Sequence, residues 1–567
     1  MVLQAARFGV LHPPGYPLLV VYNAFFVRLL PFLGPVVAVA LGSIVLALLI
    51  LAAVQALIRR LAPAVSIYLV LSLATAPLFW TYATTPEVFI GLQFFVVAFL
   101  WLWADPALYL KPWFVCVLAL SMLHHHTIVI LVPILLRAVW LHRSSVRSHA
   151  VAIVSGVICL AGYTLIFGMH PLDRFSWGWI DTPKALLDHF LRAEYGTFSL
   201  AASEGDSQLQ ERIVLVAQTL LRNNILPLLL ISTGLTSAWK RLKRKHLFLA
   251  VLLIGYVVLF TVYGAIPLTL AGVEVYKRFL LLPTVMAHVF AAAFYFEADV
   301  ADLRKPLRLL TAVVFVWNVW VGIEESSSGH RELAAHFAKD LLQGLPKDAL
   351  VVIQGDSTFF ISSYYQGVEG LRPDLAISPS TMLPWRHRKL SRDFPKALKP
   401  EYVSSKILEL ASFDVPYVEY GTQLRLPAGH GLEKLEFSHR YFPGPQRLIF
   451  HCDPHGPRYK GPDFPLARRQ FTSSLSVNYG QCDFLKGLHQ LDRGLIAEAV
   501  NSFETSLRKN PWLIQAQERL CHALTSLGRP SLECSKKLDQ LVEGTDASYY
   551  VGRKLTVLPR KVDIVWE

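Results

Sequence analysis

Four short strings in this chain carry side chains able to do chemistry at a membrane surface. In His12-Pro13-Pro14-Gly15-Tyr16-Pro17, an imidazole and a phenol sit on a segment that three prolines and a glycine force to turn sharply. That string is either a rigid lead-in to the next apolar run or a scaffold holding a nearby acid and a substrate. Glu87, after Pro86, is an acid between two apolar segments, where a carboxylate is a default functional candidate. Its plain alternative is a solvated loop residue. His124, His125 and His126 are consecutive and so point in different directions; a shared metal would need outside ligands, and lining of a polar cavity is the better reading. Lys277 and Arg278 open an apolar segment on the outside face, against the positive-inside trend. They suit an anion such as a lipid phosphate, bound bidentately or at a helix N-terminus, or else they are a snorkelling pair.

The elements that position these groups are mostly apolar. With 567 residues, 53% of them hydrophobic, and a mean hydropathy of +0.42, an ordinary soluble protein is excluded. The net charge of +13 falls largely in short loops between apolar runs, which fits membrane orientation rather than nucleic-acid binding. About ten spans are expected, over 35–58, 64–82, 88–104, 112–123, 127–141, 150–167, 213–238, 247–264, 279–296 and 307–323. The first run ends on Arg59 and Arg60, and later basic clusters, the Trp239–Lys245 run above all, fall on the same side by alternation. That side is cytoplasmic. His12–Pro17, Glu87, His124–His126 and the polar loop 168–212, which carries Tyr195, therefore lie outside. Met1–Leu11 supplies no signal sequence or spanning helix to carry them there, so a first helix is expected upstream. No ionisable residue at mid-membrane depth and no repeat symmetry stands out, which counts against a transporter.

After Gly322 the composition becomes mixed and charged. Residues 324–470 are expected to form an α/β domain outside the membrane, with 330–345 helical, a buried strand at Leu350–Ile353, and no clear period over 395–470. In 471–567, Gly487, Ala499, Phe503 and Pro511 recur at tetratricopeptide spacing, although an ordinary helical hairpin would also fit. Cys116 and Cys159 read as packing residues, while Cys452, Cys482, Cys521 and Cys534 leave room for one or two disulfides of open connectivity. No CxxC pair argues for zinc or redox work.

The strings HPPGYPL (His12–Leu18), TTPEVF (Thr84–Phe89), HHHTIVIL (His124–Leu131), AEYGTFSLAASE (Ala193–Glu204), YKRF (Tyr276–Phe279) and QGDS…EGLRPDL (Gln354–Leu375) run through nearly the whole chain. Together they resemble the endoplasmic-reticulum protein O-mannosyltransferases typified by transmembrane protein 260, of the glycosyltransferase C superfold. The resemblance implies a polytopic α-helical membrane domain over 1–323, followed by a lumenal α/β domain over 324–470 and a tetratricopeptide-like helical region over 471–567. It implies transfer of mannose from dolichyl phosphate mannose, the lipid-linked substrate, to Ser or Thr of secretory-pathway proteins, with immunoglobulin-like domains of plexin-type receptors as the family's acceptor class. No cofactor, resident metal or nucleic-acid partner is expected. The family places a Gly-Asp-Ser-Gly-Glu stretch, with its Asp as acid/base, shortly before HPPGYP, and the eleven residues before His12 contain none. If that aspartate belongs to a segment upstream of Met1, the chain as it stands would lack it and be inactive. His124–Thr127 matches an Asn-Gln-His-Thr type string only with substitutions, and Lys277 stands where the family has an acid.

The expected roles are then Glu87 and His126 in catalysis, and His12, Tyr16, Tyr195, Lys277 and Arg278 in substrate binding. The competing readings are a catalytically inactive membrane scaffold that binds partners through its C-terminal part and, less favoured, a transporter.

Overall fold

A computed structural model describes residues 1–194, 209–238, 244–263, 270–298 and 304–326. Beyond these it describes chiefly 350–353, 356–379, 417–424, 435–444, 447–451, 480–511, 513–530, 532–543 and 563–566. The chain divides into two compact units, Met1–Ser327 and Ser328–Glu567.

The first unit is helical: α1 (Val2–Arg7), α2 (Pro17–Leu29), α3 (Gly34–Leu61), α4 (Ser66–Thr75), α5 (Pro77–Thr84), α6 (Val88–Ala104), α7 (Pro112–His124), α8 (Val132–Leu141), α9 (Val146–Tyr163), α10 (Leu165–Gly168), α11 (Pro183–Phe190), α12 (Leu209–Asn223), α13 (Ile225–Ala238), α14 (Arg244–Tyr263), α15 (Leu270–Ala298) and α16 (Arg304–Ser326). Among the described residues, Pro31–Leu61, Val146–Gly168 and Val275–Tyr295 are each long and apolar enough to cross a membrane. Two bent pairs, α4–α5 and α12–α13, raise that to five. Shorter apolar helices, Val88–Ala104 and Pro112–His124 among them, complete the bundle.

The two bent pairs fall within the expected spans over 64–82 and 213–238 and show each of them as broken. At the first, Pro77 has no N–H and its ring clashes with the preceding turn, so the chain bends by 61°. At the second, Asn223 and Asn224 turn their amides back on the carbonyls of Thr219 and Leu220, both at 2.8 Å, and the chain bends by 87°. α15 is also longer than expected. It begins at Leu270 rather than near residue 279, and its interior packs against α3, α6, α12, α13 and α14. Lys277 and Arg278 therefore lie well inside a helix, not at its N-terminus, and the helix-dipole component of the anion reading falls away. His288, fully buried on the same helix, is an ionisable residue within a span that hydropathy alone passes over.

The second unit carries a six-stranded sheet in the order β2-β1-β3-β4-β5-β6: β1 (Leu350–Ile353), β2 (Ala376–Pro379), β3 (Tyr417–Leu424), β4 (Leu435–Gly444), β5 (Arg447–His451) and β6 (Asp563–Trp566). β1 runs parallel to β2 and β3, β4 is antiparallel to β3 and β5, and β6 is parallel to β5. The strand at 350–353 is where the apolar run places it. β3, β4 and β5 fall in the stretch where no period was legible. Between β1 and β2 runs α17 (Asp356–Gly367). The EGLRPDL string then closes the return: Arg372 pairs with Asp374 at 2.7 Å, and Gln366 donates to the carbonyls of Arg372 and Leu375 at 2.7 and 2.9 Å.

Near the C-terminus α18 (Gln481–Asp492), α19 (Ile496–Lys509), α20 (Ile514–Ser526) and α21 (Leu532–Glu543) pack in succession. Phe503 and Ala499 are fully buried, and the Phe503 ring occupies the space a Cβ at Gly487 would need. A disulfide joins Cys521 to Cys534.

Candidate active site

The His12–Tyr16 turn is closed by the Gly15 N–H donating to the His12 carbonyl at 2.8 Å. Gly15 has φ +93°, and a Cβ there would press on His189 and Ile166 at 3.0 Å, so both conformation and space demand glycine. Tyr16, itself at φ +46°, precedes Pro17 at the first position of α2. The 170–177 segment grips this turn from outside it. His170 N–H donates to the Phe8 carbonyl and Trp177 N–H to the Val10 carbonyl, both at 2.9 Å, and Arg7 pairs with Asp173 at 2.6 Å. At the far end of that loop the Trp177 indole donates to Glu194 at 2.8 Å.

Rings from five separate stretches of chain then line up. Trp177 meets His12 at 6.2 Å between centroids, His12 meets Tyr16 at 5.4 Å, Tyr16 meets His125 at 5.2 Å, His125 meets Phe89 at 5.2 Å, and Phe89 meets Phe279 at 5.1 Å. The three histidines face three neighbours. His124 Nε2 contacts the Val88 carbonyl at 3.0 Å. The His125 Nδ1 accepts from the Thr127 N–H at 3.0 Å. His126 Nε2 meets the Tyr163 hydroxyl at 2.8 Å, with its ring against Phe190. Among the described residues, no group of three His, Cys, Asp or Glu side chains could hold a metal ion.

Glu87 caps α6, its Oε2 accepting from the Val88 N–H at 3.3 Å, while its Oε1 faces Arg278 at 3.5 Å. Glu87, Arg278 and Arg192 all act electrostatically on the Tyr16 phenol. Burial raises the Tyr16 pKa above its ordinary value, the two arginines pulling the other way. Burial, and then the neighbouring histidines and Arg192, hold His125 well below 6.5 and hence neutral. The wall is therefore aromatic with neutral imidazoles, and Glu87, Arg278 and Arg192 stand beside Tyr16 while Glu194 holds Trp177. Such an arrangement can hold an anion beside a hydroxyl and accept its proton.

Of the residues singled out from the sequence, His12, Tyr16, Glu87 and Arg278 come together. His126 turns to Tyr163 and Phe190 but still feels Arg192. Lys277 is half-buried one residue before Arg278. Tyr195 lies outside the described residues. Sequence reasoning missed His125 as the imidazole on Tyr16, together with Phe89, Trp177 and Arg192. Arg192 immediately precedes the AEYGTFSLAASE string, the one signal that pointed to it.

Several apolar helices able to cross a membrane, some of them broken, around a charged aromatic site define a multi-pass membrane protein. Comparison with known proteins narrows the class. The chain is 23% identical over 464 residues to protein O-mannosyl-transferase tmem260 of Dictyostelium discoideum, covering 69% of this chain and 55% of that protein. It is 27% identical over 443 residues to protein O-mannosyl-transferase TMEM260 of Mus musculus, covering 70% and 61% respectively. The chain thus resembles the TMEM260 family of mannosyltransferases, and the matches span 55–61% of the length of these relatives. No family model matches it. No solved structure matches it either.

Proposed function

We propose that this protein transfers mannose from dolichyl phosphate mannose to Ser or Thr hydroxyls of secretory-pathway proteins, with immunoglobulin-like domains of plexin-type receptors as the acceptor class. The observation that carries this reading is the convergence of Glu87, Arg278 and Arg192 on Tyr16, in a polytopic unit similar to protein O-mannosyl-transferases. The acceptor oxygen attacks the anomeric carbon, the bond from that carbon to the phosphate oxygen breaks, and the acceptor proton passes to the Glu87 carboxylate. Arg278 and Arg192 stabilise the charge gathering on the leaving phosphate. Lys277 adds positive charge beside them, and His12, Tyr16 and the neutral His125 form the wall on which the sugar is oriented, with His126 at its margin. The polyprenyl tail lies among the apolar helices, so no nucleotide pocket is needed.

The site faces the lumen of the endoplasmic reticulum, as does the second unit, whose α18–α21 region is tetratricopeptide-like and presents acceptors. The Cys521–Cys534 disulfide supports an oxidising compartment for it.

The test is purified full-length protein incubated with dolichyl phosphate [14C]mannose and a recombinant plexin-type immunoglobulin-like domain. Labelled mannose on Ser or Thr peptides, absent with Glu87→Gln, is the expected result. No transfer by the wild-type protein, with the acceptor domain still bound, would replace the enzyme by a scaffold.

A further inference from the structure

We infer that Asn223 is a positioning residue for the Glu87–Arg278 pair, acting through the first turn of α5. Pro77 opens that helix, and the leading N–H groups of any helix lack intrahelical partners. One of them, Leu78 N–H, donates to the Asn223 Oδ1 at 2.8 Å in a buried contact. The same amide donates from Nδ2 to the Thr219 carbonyl at 2.8 Å, so both ends of this one side chain tie together the breaks of the two bent pairs.

What α5 carries explains why this matters. It is eight residues long and leads directly to Glu87. The connection is braced by Thr84 donating to the Trp80 carbonyl at 3.0 Å and Thr85 to the Thr81 carbonyl at 2.7 Å, with Pro86 next. A tilt of α5 at Pro77 is therefore passed on to the carboxylate rather than absorbed by a slack loop.

Arg278, the other member of the pair, rides on α15, and α15 is held at the same seam. The neighbouring Asn224 donates to Thr284 Oγ1 at 3.4 Å. His288 contacts the Thr284 carbonyl through Nδ1 at 2.8 Å, which makes Nδ1 the protonated nitrogen and Nε2 the acceptor from Ser72 on α4 at 3.3 Å. The acid is thus placed from Asn223 and its cation from Asn224, adjacent residues at a single bend. A pair at 3.5 Å has little room for error before the contact is lost.

This inference rests on the transfer reading for its kinetic test but not for its structural one. In full-length protein, Asn223→Leu removes both hydrogen bonds at similar volume. Asn223→Asp keeps the acceptor for the Leu78 N–H. The Leu variant should lose about tenfold or more in kcat with KM for the donor little changed, and the Asp variant should stay within about threefold of wild type. Hydrogen exchange in a peptide covering 84–91 should quicken in the Leu variant while α9 keeps its protection; Asn223→Ser is read in the same way if the Leu variant does not accumulate. A folded variant lacking both bonds, with wild-type kcat and unchanged exchange at 84–91, overturns the inference. Absence of transfer in the wild type would sink the transfer reading alone and leave exchange to decide this one.

Discussion

The two units differ in the polar contacts that tie their buried helix ends together. In the helical unit the breaks are joined by amides, hydroxyls and one imidazole: Asn223 to Leu78, Asn224 to Thr284, and His288 to Ser72. In the C-terminal helices the interior instead holds a full ion pair, Lys509 Nζ to Asp483 at 2.6 Å, both side chains nearly sequestered, with a disulfide close by in sequence. The difference follows from the surroundings. A charge within a span has no water to return to, so a membrane unit repairs its broken backbone with neutral groups. A buried charge can be held where its partner comes with it, and a disulfide then adds a covalent tie between helices.

That contrast can be broken at its strongest point first. Lys509→Met leaves Asp483 buried without its cation and should cost about 3–5 kcal/mol in chemical denaturation, whereas replacing both residues with apolar ones should restore most of the loss. Burial already raises the Asp483 pKa against the pull of Lys509, so the carboxylate is ready to protonate once the lysine is gone. In the helical unit, Arg278→Ala should lower mannose transfer about 10²–10³-fold with the melting temperature little changed, since the residue acts at the edge of the site rather than in the packing. Cys521→Ser opens a link across 13 residues and should reduce stability by about 2–3 kcal/mol; equal stability with and without reductant would remove the disulfide from the account.

The smallest effect concerns pH. His125 is held well below 6.5 in the folded protein, so the stability linked to its neutrality is complete above that value and is lost as pH falls below it. Melting temperature should therefore drop between pH 7.5 and pH 5, and His125→Phe should drop less. An equal drop in both proteins would mean that other groups carry the dependence.

Much of the helical framework was legible, for definite reasons. The Val88–Ala104 helix lies between Glu87 and Asp105, two caps flanking an unbroken apolar run, and it has the expected bounds. Pro77 was invisible as a break because it sits in an apolar stretch whose hydropathy does not dip; Arg222-Asn223-Asn224 does interrupt its apolar run, but only the turn of the two amides back onto Thr219 and Leu220 shows that the helix bends there. In the site, Tyr16 and Glu87 announced themselves by type and neighbours. His125 could not be separated from His124 and His126 until the break after α7 turned the three rings apart. Arg192 was overlooked because only its place just before the AEYGTFSLAASE string marks it, and the groups it acts on come from distant segments. The EGLRPDL string pointed to a family, but its Arg372–Asp374 pairing makes it a turn clasp rather than chemistry.

The account stands on a lipid phosphate meeting Arg278 and Arg192 beside Tyr16. The most direct measurement is binding of a photoreactive dolichyl phosphate to the full-length protein in nanodiscs, with the cross-linked peptides identified by mass spectrometry. The account predicts labelling near residues 12–16, 87–89 and 276–279, weakened at least about tenfold in an Arg192→Ala, Arg278→Ala double variant that keeps its melting temperature. Labelling that is unchanged in that variant, or that falls elsewhere on the chain, would contradict it.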